Sequence, residues 1–176
     1  MKQAIILHGS ECEPSDYWYP WPASQLEQQG FSVTVPYMPE INQESASDTI
    51  DKLDVDISDN TVLVGHSSGA VLVLALLERF KVDKAILVGG YMSEIGEPGD
   101  NQSIQDSYNV DAIKSNAGEI IYFNSTNDPW GCNDVRGKEM QDTFGGRLIV
   151  MSDGHFGSTS YDQPYKEFPE LLEVIT

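Results

Sequence analysis

A three-layer α/β sandwich, one open parallel sheet of about six strands with helices on both faces, is the fold class this sequence predicts. Three observations lead to it. Short apolar runs bounded by Gly, Pro or Asp alternate with longer amphipathic segments along the whole chain. No internal repeat, low-complexity stretch or linker-like change of composition interrupts them, so the 176 residues read as a single domain with one well-filled core. One of the apolar runs also feeds directly into a Gly-x-Ser-x-Gly turn from which a helix departs.

Strands are expected at about Gln3–His8, Phe31–Pro36, Thr61–Gly65, Lys84–Val88, Glu119–Asn124 and Arg147–Met151, each rich in Ile, Val, Leu or aromatic residues, as a strand buried on both faces must be. A helix over Trp21–Gln29 stops at Gly30, and one over Ser47–Leu53 begins with Ser and acidic residues at the positive end of its dipole. Ser68–Phe80 is apolar on nearly every side, which suits a helix buried against the middle of the sheet. Helices over Asn133–Phe144 and Pro164–Ile175 complete the set. The Gly-, Pro-, Asp- and Ser-rich excursion 91–116 carries no periodicity, and folding over the strand ends as a small lid is one use for it.

Helices on both faces and right-handed crossovers favour the strand order 2-1-3-4-5-6, whose switch point lies between the first and third strands. Ligands bind in such a crevice. Gly65-His66-Ser67-Ser68-Gly69 lies there, and its strand-to-helix setting is what a nucleophile elbow demands: the serine projects from a tight turn whose flanking positions have no room for a side chain. The fold is therefore α/β-hydrolase-like, and Ser67 is the candidate nucleophile. The Ser68 amide opens the following helix, where an unpaired N–H and the positive dipole end suit an oxyanion. A second amide would come from the loop after the first strand, from Ser10 or from its neighbour Glu11.

A serine hydroxyl needs a base. Of three histidines, His66 is locked beside Ser67 with its ring expected to point elsewhere, and His8 ends the first strand, where it shapes a loop. His155, in Asp153-Gly154-His155-Phe156 after the last strand, stands where this architecture presents its base. Asp128, just beyond the fifth strand, gives the chain order Ser, Asp, His. Asp153 is the fallback acid, disfavoured because it stands only two residues from the histidine.

These residues resemble a known family, the small and nearly lid-free α/β-hydrolases of the retinoblastoma-binding-protein-9 type. The resemblance spans nearly the whole chain and rests on the elbow Gly-His-Ser-Ser-Gly-Ala at 65–70, Ser125-Thr126-Asn127-Asp128-Pro129-Trp130, Gly154-His155-Phe156 and Trp18-Tyr19-Pro20-Trp21. It implies a six-stranded parallel sheet and a Ser-Asp-His triad, carried here onto Ser67, Asp128 and His155. Two departures stand out: His8-Gly9-Ser10 where relatives often have a Gly/Asn-rich loop, and Gly131-Cys132 in place of a hydrophobic-Pro ending after the acid.

Composition limits the partners. Twenty-eight acidic against ten basic residues give a formal charge of −18, which repels phosphate backbones and anionic lipid surfaces, so neither nucleic acid nor membrane is expected as a partner. The N-terminal apolar run is too short for a secretory signal, and Cys12 and Cys132 read as reduced thiols, so a soluble, cytoplasmic protein is expected, monomer and dimer being equally open. No cofactor is expected: Asp51, Asp54, Asp56 and Asp59 lack the glycine and glutamate of a calcium loop, and neither zinc-ligand spacing nor a phosphate-binding Lys loop occurs. The expected partner is a small acyl substrate, a carboxylester or its relative. Thioester, peptide or acyl-transfer chemistry could use the same residues, and a non-catalytic protein-binding module is the competing class. Trp18, Tyr19, Trp21 and Trp130 fall on segments bordering the crevice, where they would suit an apolar acyl group or simply pack the first helix and the acid loop.

Overall fold

The computed structural model describes residues 2–176, Met1 lying outside the described part. Its sheet has six strands, β1 (Gln3–Leu7), β2 (Ser32–Thr34), β3 (Thr61–His66), β4 (Val82–Val88), β5 (Ala117–Ser125) and β6 (Arg147–Met151), all parallel in the order β2-β1-β3-β4-β5-β6. This is the predicted order. Ile5 pairs with Leu63, and Val64 with Ile86, so the C-terminal ends of β1, β3 and β4 finish side by side.

The strand period of two divides the core into two layers. Ile5, Leu7, Leu63, Leu87 and Tyr122 point to one face, where α2 (Ala46–Lys52), α3 (Ser68–Leu77), α4 (Val110–Asn116) and α5 (Asp134–Phe144) pack. Ala4, Ile6, Val64, Ile86 and Phe123 point to the other, covered by α1 (Pro20–Gln28) and α6 (Pro169–Ile175). All ten residues of α3 are buried, which accounts for a helix with no polar stripe.

Several boundaries differ from expectation. The second strand is three residues rather than Phe31–Pro36, because an edge strand has only β1 to pair with. The central helix ends at Leu77, not Phe80, where the chain turns into β4. The last helix starts at Pro169 rather than Pro164: both prolines offer a helix start, and Phe168, buried among Trp18, Phe123 and Phe156, sets the real one. Within the 91–116 excursion the structure forms α4, capped by the Asn109 side chain on the Ala112 amide. The rest of that excursion stands as a wall of the cleft described next, with Asn101 and Ser103 buried.

Candidate active site

Ser67 sits between β3 and α3 at φ 54° and ψ −118°, a conformation disfavoured for any residue with a Cβ. The surroundings impose it. The Ser67 amide donates to Val88 at the end of β4, and the chain must turn at once to bury α3 under the sheet. A Cβ on Gly65 would lie 2.4 Å from the Gly69 carbonyl oxygen, and one on Gly69 would lie 2.2 Å from that of Leu7. Both glycines are needed for close approach. Ser67 is half-buried at a cleft of about 360 Å³ that also receives His155, Ser10, Ser68 and Trp130.

The loops after β5 and β6 bring Asp128 and His155 together, Asp128 Oδ2 lying 2.7 Å from His155 Nδ1. A carboxylate only accepts, so Nδ1 carries a proton, and in the neutral ring Nε2 holds the lone pair. Asp128 is held in turn, its Oδ1 accepting the Trp130 amide at 2.8 Å. The base loop is fastened by Asn127, which accepts the Gly154 amide, and by Gln163, which accepts that of His155. Gly89 closes over the pair: a Cβ there would sit 3.4 Å from the imidazole. Asp153, the fallback acid, is turned away and accepts the Tyr165 hydroxyl. The Ser67 hydroxyl makes no hydrogen bond among the described residues, and contacts of this kind often tighten only when substrate binds.

The loop after β1 lies against the elbow, a Cβ on Gly9 coming 3.2 Å from that of Ser67. Ser10 and Ser68 are neighbours, their hydroxyl oxygens 3.4 Å apart. Neither backbone amide donates to another protein group among the described residues. His8 lies within this loop, Nδ1 bonding the Gly9 carbonyl and Nε2 accepting the Met38 amide. Burial lowers its pKa, so the ring is neutral.

The aromatic residues divide unexpectedly. Trp18 and Tyr19 are fully buried and Trp21 is off the cleft, so of the four singled out from sequence only Trp130 lines it. Tyr17 and Tyr91 line it instead. His66 does point away from the nucleophile, as expected, into a buried bond with Tyr19. No sequence signal marked Tyr19 as its partner, since 47 residues separate them. Asp128, Cys132 and His155 place possible metal-donor atoms within 4.8 Å of one another. The first and last are committed to each other, and burial pushes the Cys132 thiol well above its usual pKa, so a thiolate ligand there would be costly. No helix among the described residues is long and apolar enough to cross a membrane.

Comparison with known proteins adds independent information. The family model described as serine hydrolase matches residues 4–176. Serine hydrolase RBBP9 of Rattus norvegicus is 32% identical over 167 residues, covering 90% of this chain and 84% of that one. Among solved structures, the YdeN gene product of Bacillus subtilis superimposes with a TM-score of 0.88 at 24% identity, covering 99% of this chain and 97% of that one. The Arabidopsis methylesterase MES16 follows at a TM-score of 0.64 and 15% identity, with 99% and 97% covered. These two likenesses bear on the fold.

Proposed function

This chain belongs to the serine hydrolase family, of the retinoblastoma-binding-protein-9 type, and from that premise we propose that it hydrolyses a small carboxylester or related acyl substrate through an acyl-enzyme on Ser67. The observation that carries this reading is the 2.7 Å Asp128–His155 bond at the cleft where the strained Ser67 projects. His155 Nε2 takes the Ser67 proton as Oγ attacks the carbonyl carbon, then gives it to the leaving group. Asp128 keeps the proton of the ring on Nδ1 and stabilises the imidazolium. The Ser68 and Ser10 amides hold the oxyanion, and water attacking by the reverse route releases the acid. The reaction needs no cofactor and takes place on one small-molecule partner.

Asp128→Asn would present an amide to Nδ1 and favour the tautomer with its lone pair facing the wrong way. Turnover of p-nitrophenyl acetate by that variant is expected to fall about 10³- to 10⁴-fold with the fold intact. Loss of less than tenfold would remove Asp128 from its role.

The cleft also suggests which acyl groups enter. Glu11, Glu94 and Asp100 are exposed at its wall, and no Lys or Arg among the described residues lines it. At separations on the order of 8–10 Å through water each carboxylate repels an anion by roughly 0.4–0.5 kcal/mol, or about tenfold in rate for the three together. Neutral or amine-bearing esters should therefore exceed a succinate half-ester of equal length by about tenfold in kcat/KM at low salt. The gap should narrow in 0.5 M NaCl, and a preference for the anionic ester would refute the assignment.

A further inference from the structure

A chain of buried hydrogen bonds crosses the molecule beneath Ser67 and joins the two loops that the proposed reaction depends on. The Gly9 amide lies 3.2 Å from Tyr19 Oη, Tyr19 Oη lies 2.6 Å from His66 Nδ1, and His66 Nε2 lies 2.7 Å from the His155 carbonyl oxygen. The direction of every proton follows from chemistry. A carbonyl only accepts, so Nε2–H of His66 donates to His155. Burial and the neighbouring His155 lower the His66 pKa to about 3, so the ring is neutral and Nδ1 accepts. Tyr19 Oη–H then donates to Nδ1, and the Tyr19 oxygen is left to accept the Gly9 N–H. Each donor meets an acceptor, and each member is buried.

We infer that Tyr19 and His66 are positioning residues, which set the backbone of the oxyanion loop against the backbone of the base loop, both ring nitrogens of His66 being taken up by protein groups. Two further contacts support the assignment. The Gly9 amide is already bonded to Tyr19, so it is withheld from the oxyanion and leaves the next peptide to serve. That peptide is fixed by His8, whose Nδ1 donates to the Gly9 carbonyl; in a trans peptide the Ser10 N–H points the opposite way. The other end of the chain holds the carbonyl of His155 itself, on a loop that Trp18 also ties through its indole N–H to the Phe156 carbonyl at 2.9 Å. Tyr17 adds a third tie, accepting the Thr159 amide. Tyr17 and Trp18 thus tie the base loop directly and Tyr19 ties it through His66, while Tyr19 also accepts the Gly9 amide of the oxyanion loop. A shift of either loop by a fraction of an ångström would spoil the geometry in the transition state more than in the bound substrate.

This inference rests on the serine hydrolase reading, and the test separates the two. Wild type, Tyr19→Phe, His66→Gln and His66→Leu would be compared for p-nitrophenyl ester kinetics, for affinity toward an alkyl boronic acid, and for thermal unfolding. Phenylalanine keeps the ring and removes the hydroxyl link. Glutamine can donate to the His155 carbonyl through Nε2 and accept from Tyr19 through Oε1, whereas leucine can do neither. Expected are a 10- to 100-fold loss of kcat in Tyr19→Phe and His66→Leu with KM changed less than about threefold, a parallel loss of boronate affinity, and recovery to within about fivefold of wild type in His66→Gln. Folded Tyr19→Phe with wild-type kcat and boronate affinity would overturn the inference while an active wild type left the hydrolase reading standing. An inactive wild type that also fails to bind the boronate would overturn both.

Discussion

Ser67→Ala is expected to lower ester turnover by roughly four to six powers of ten while leaving secondary structure and cleft unchanged, because it removes the bond-forming atom and nothing that supports the turn. Ser67→Gly should be equally inactive and more stable than wild type by about 1 kcal/mol. At φ 54° and ψ −118° the serine Cβ is a steric burden that glycine does not carry, although glycine's freer unfolded chain offsets part of the gain. The pair of variants separates chemistry from strain. Rate assays read the first and thermal unfolding the second. If Ser67→Gly proved less stable than Ser67→Ala, the unusual backbone of the elbow would not be a cost that the fold bears for function.

Gly69→Ala should be strongly destabilising for so small a change. The added methyl would stand 2.2 Å from the Leu7 carbonyl oxygen and 2.7 Å from that of His8, both backbone atoms of a central strand and its exit loop. Neither can retreat without parting β1 from β3, whose register runs from Gln3–Thr61 to Leu7–Gly65. A loss of about 3–5 kcal/mol is expected, equivalent to some 10–20 °C in melting temperature for a chain this size, or failure to accumulate folded protein. Gly30 provides the control. Unlike Gly69 it has a positive φ, 86°, but apart from its chain neighbours no described atom lies within 4 Å of its missing Cβ, so Gly30→Asn should cost under about 1 kcal/mol. A Gly69→Ala protein that melted like wild type would show that α3 and β1 are not packed as described.

The contrast between these two glycines also explains how much could be read from the residues alone. The G-x-S-x-G pattern requires glycine at 65 and 69 for contact between segments, and this need is legible because a strand and an apolar helix flank it. The central strands were legible for a similar reason: all six residues of β3 are buried, so its apolar run is unbroken. The helix α4 was not. Only Ile113 of its seven residues is buried, and its start depends on one asparagine cap in a stretch already rich in turn formers. The two-residue separation from His155 disfavoured Asp153 against Asp128, but only the structure shows Asp128 bonded to His155 and Asp153 turned to Tyr165. The pairing of Tyr19 with His66 left no trace in spacing, since a buried polar contact between distant segments imposes no local period. Trp18 and Tyr19 were legible as large aromatic residues near the crevice, yet their polar tips face the scaffold of the site and not its opening.

Intact-mass analysis after treatment with a fluorophosphonate reports whether Ser67 is an activated nucleophile, because such a reagent phosphonylates a serine only where a base and an oxyanion hole activate it. One adduct per chain is expected on wild type, mapped by peptide fragmentation to Ser67, absent in Ser67→Ala and strongly slowed in His155→Ala. A folded wild type that takes up no adduct, or carries it on another serine, would remove Ser67 as the nucleophile.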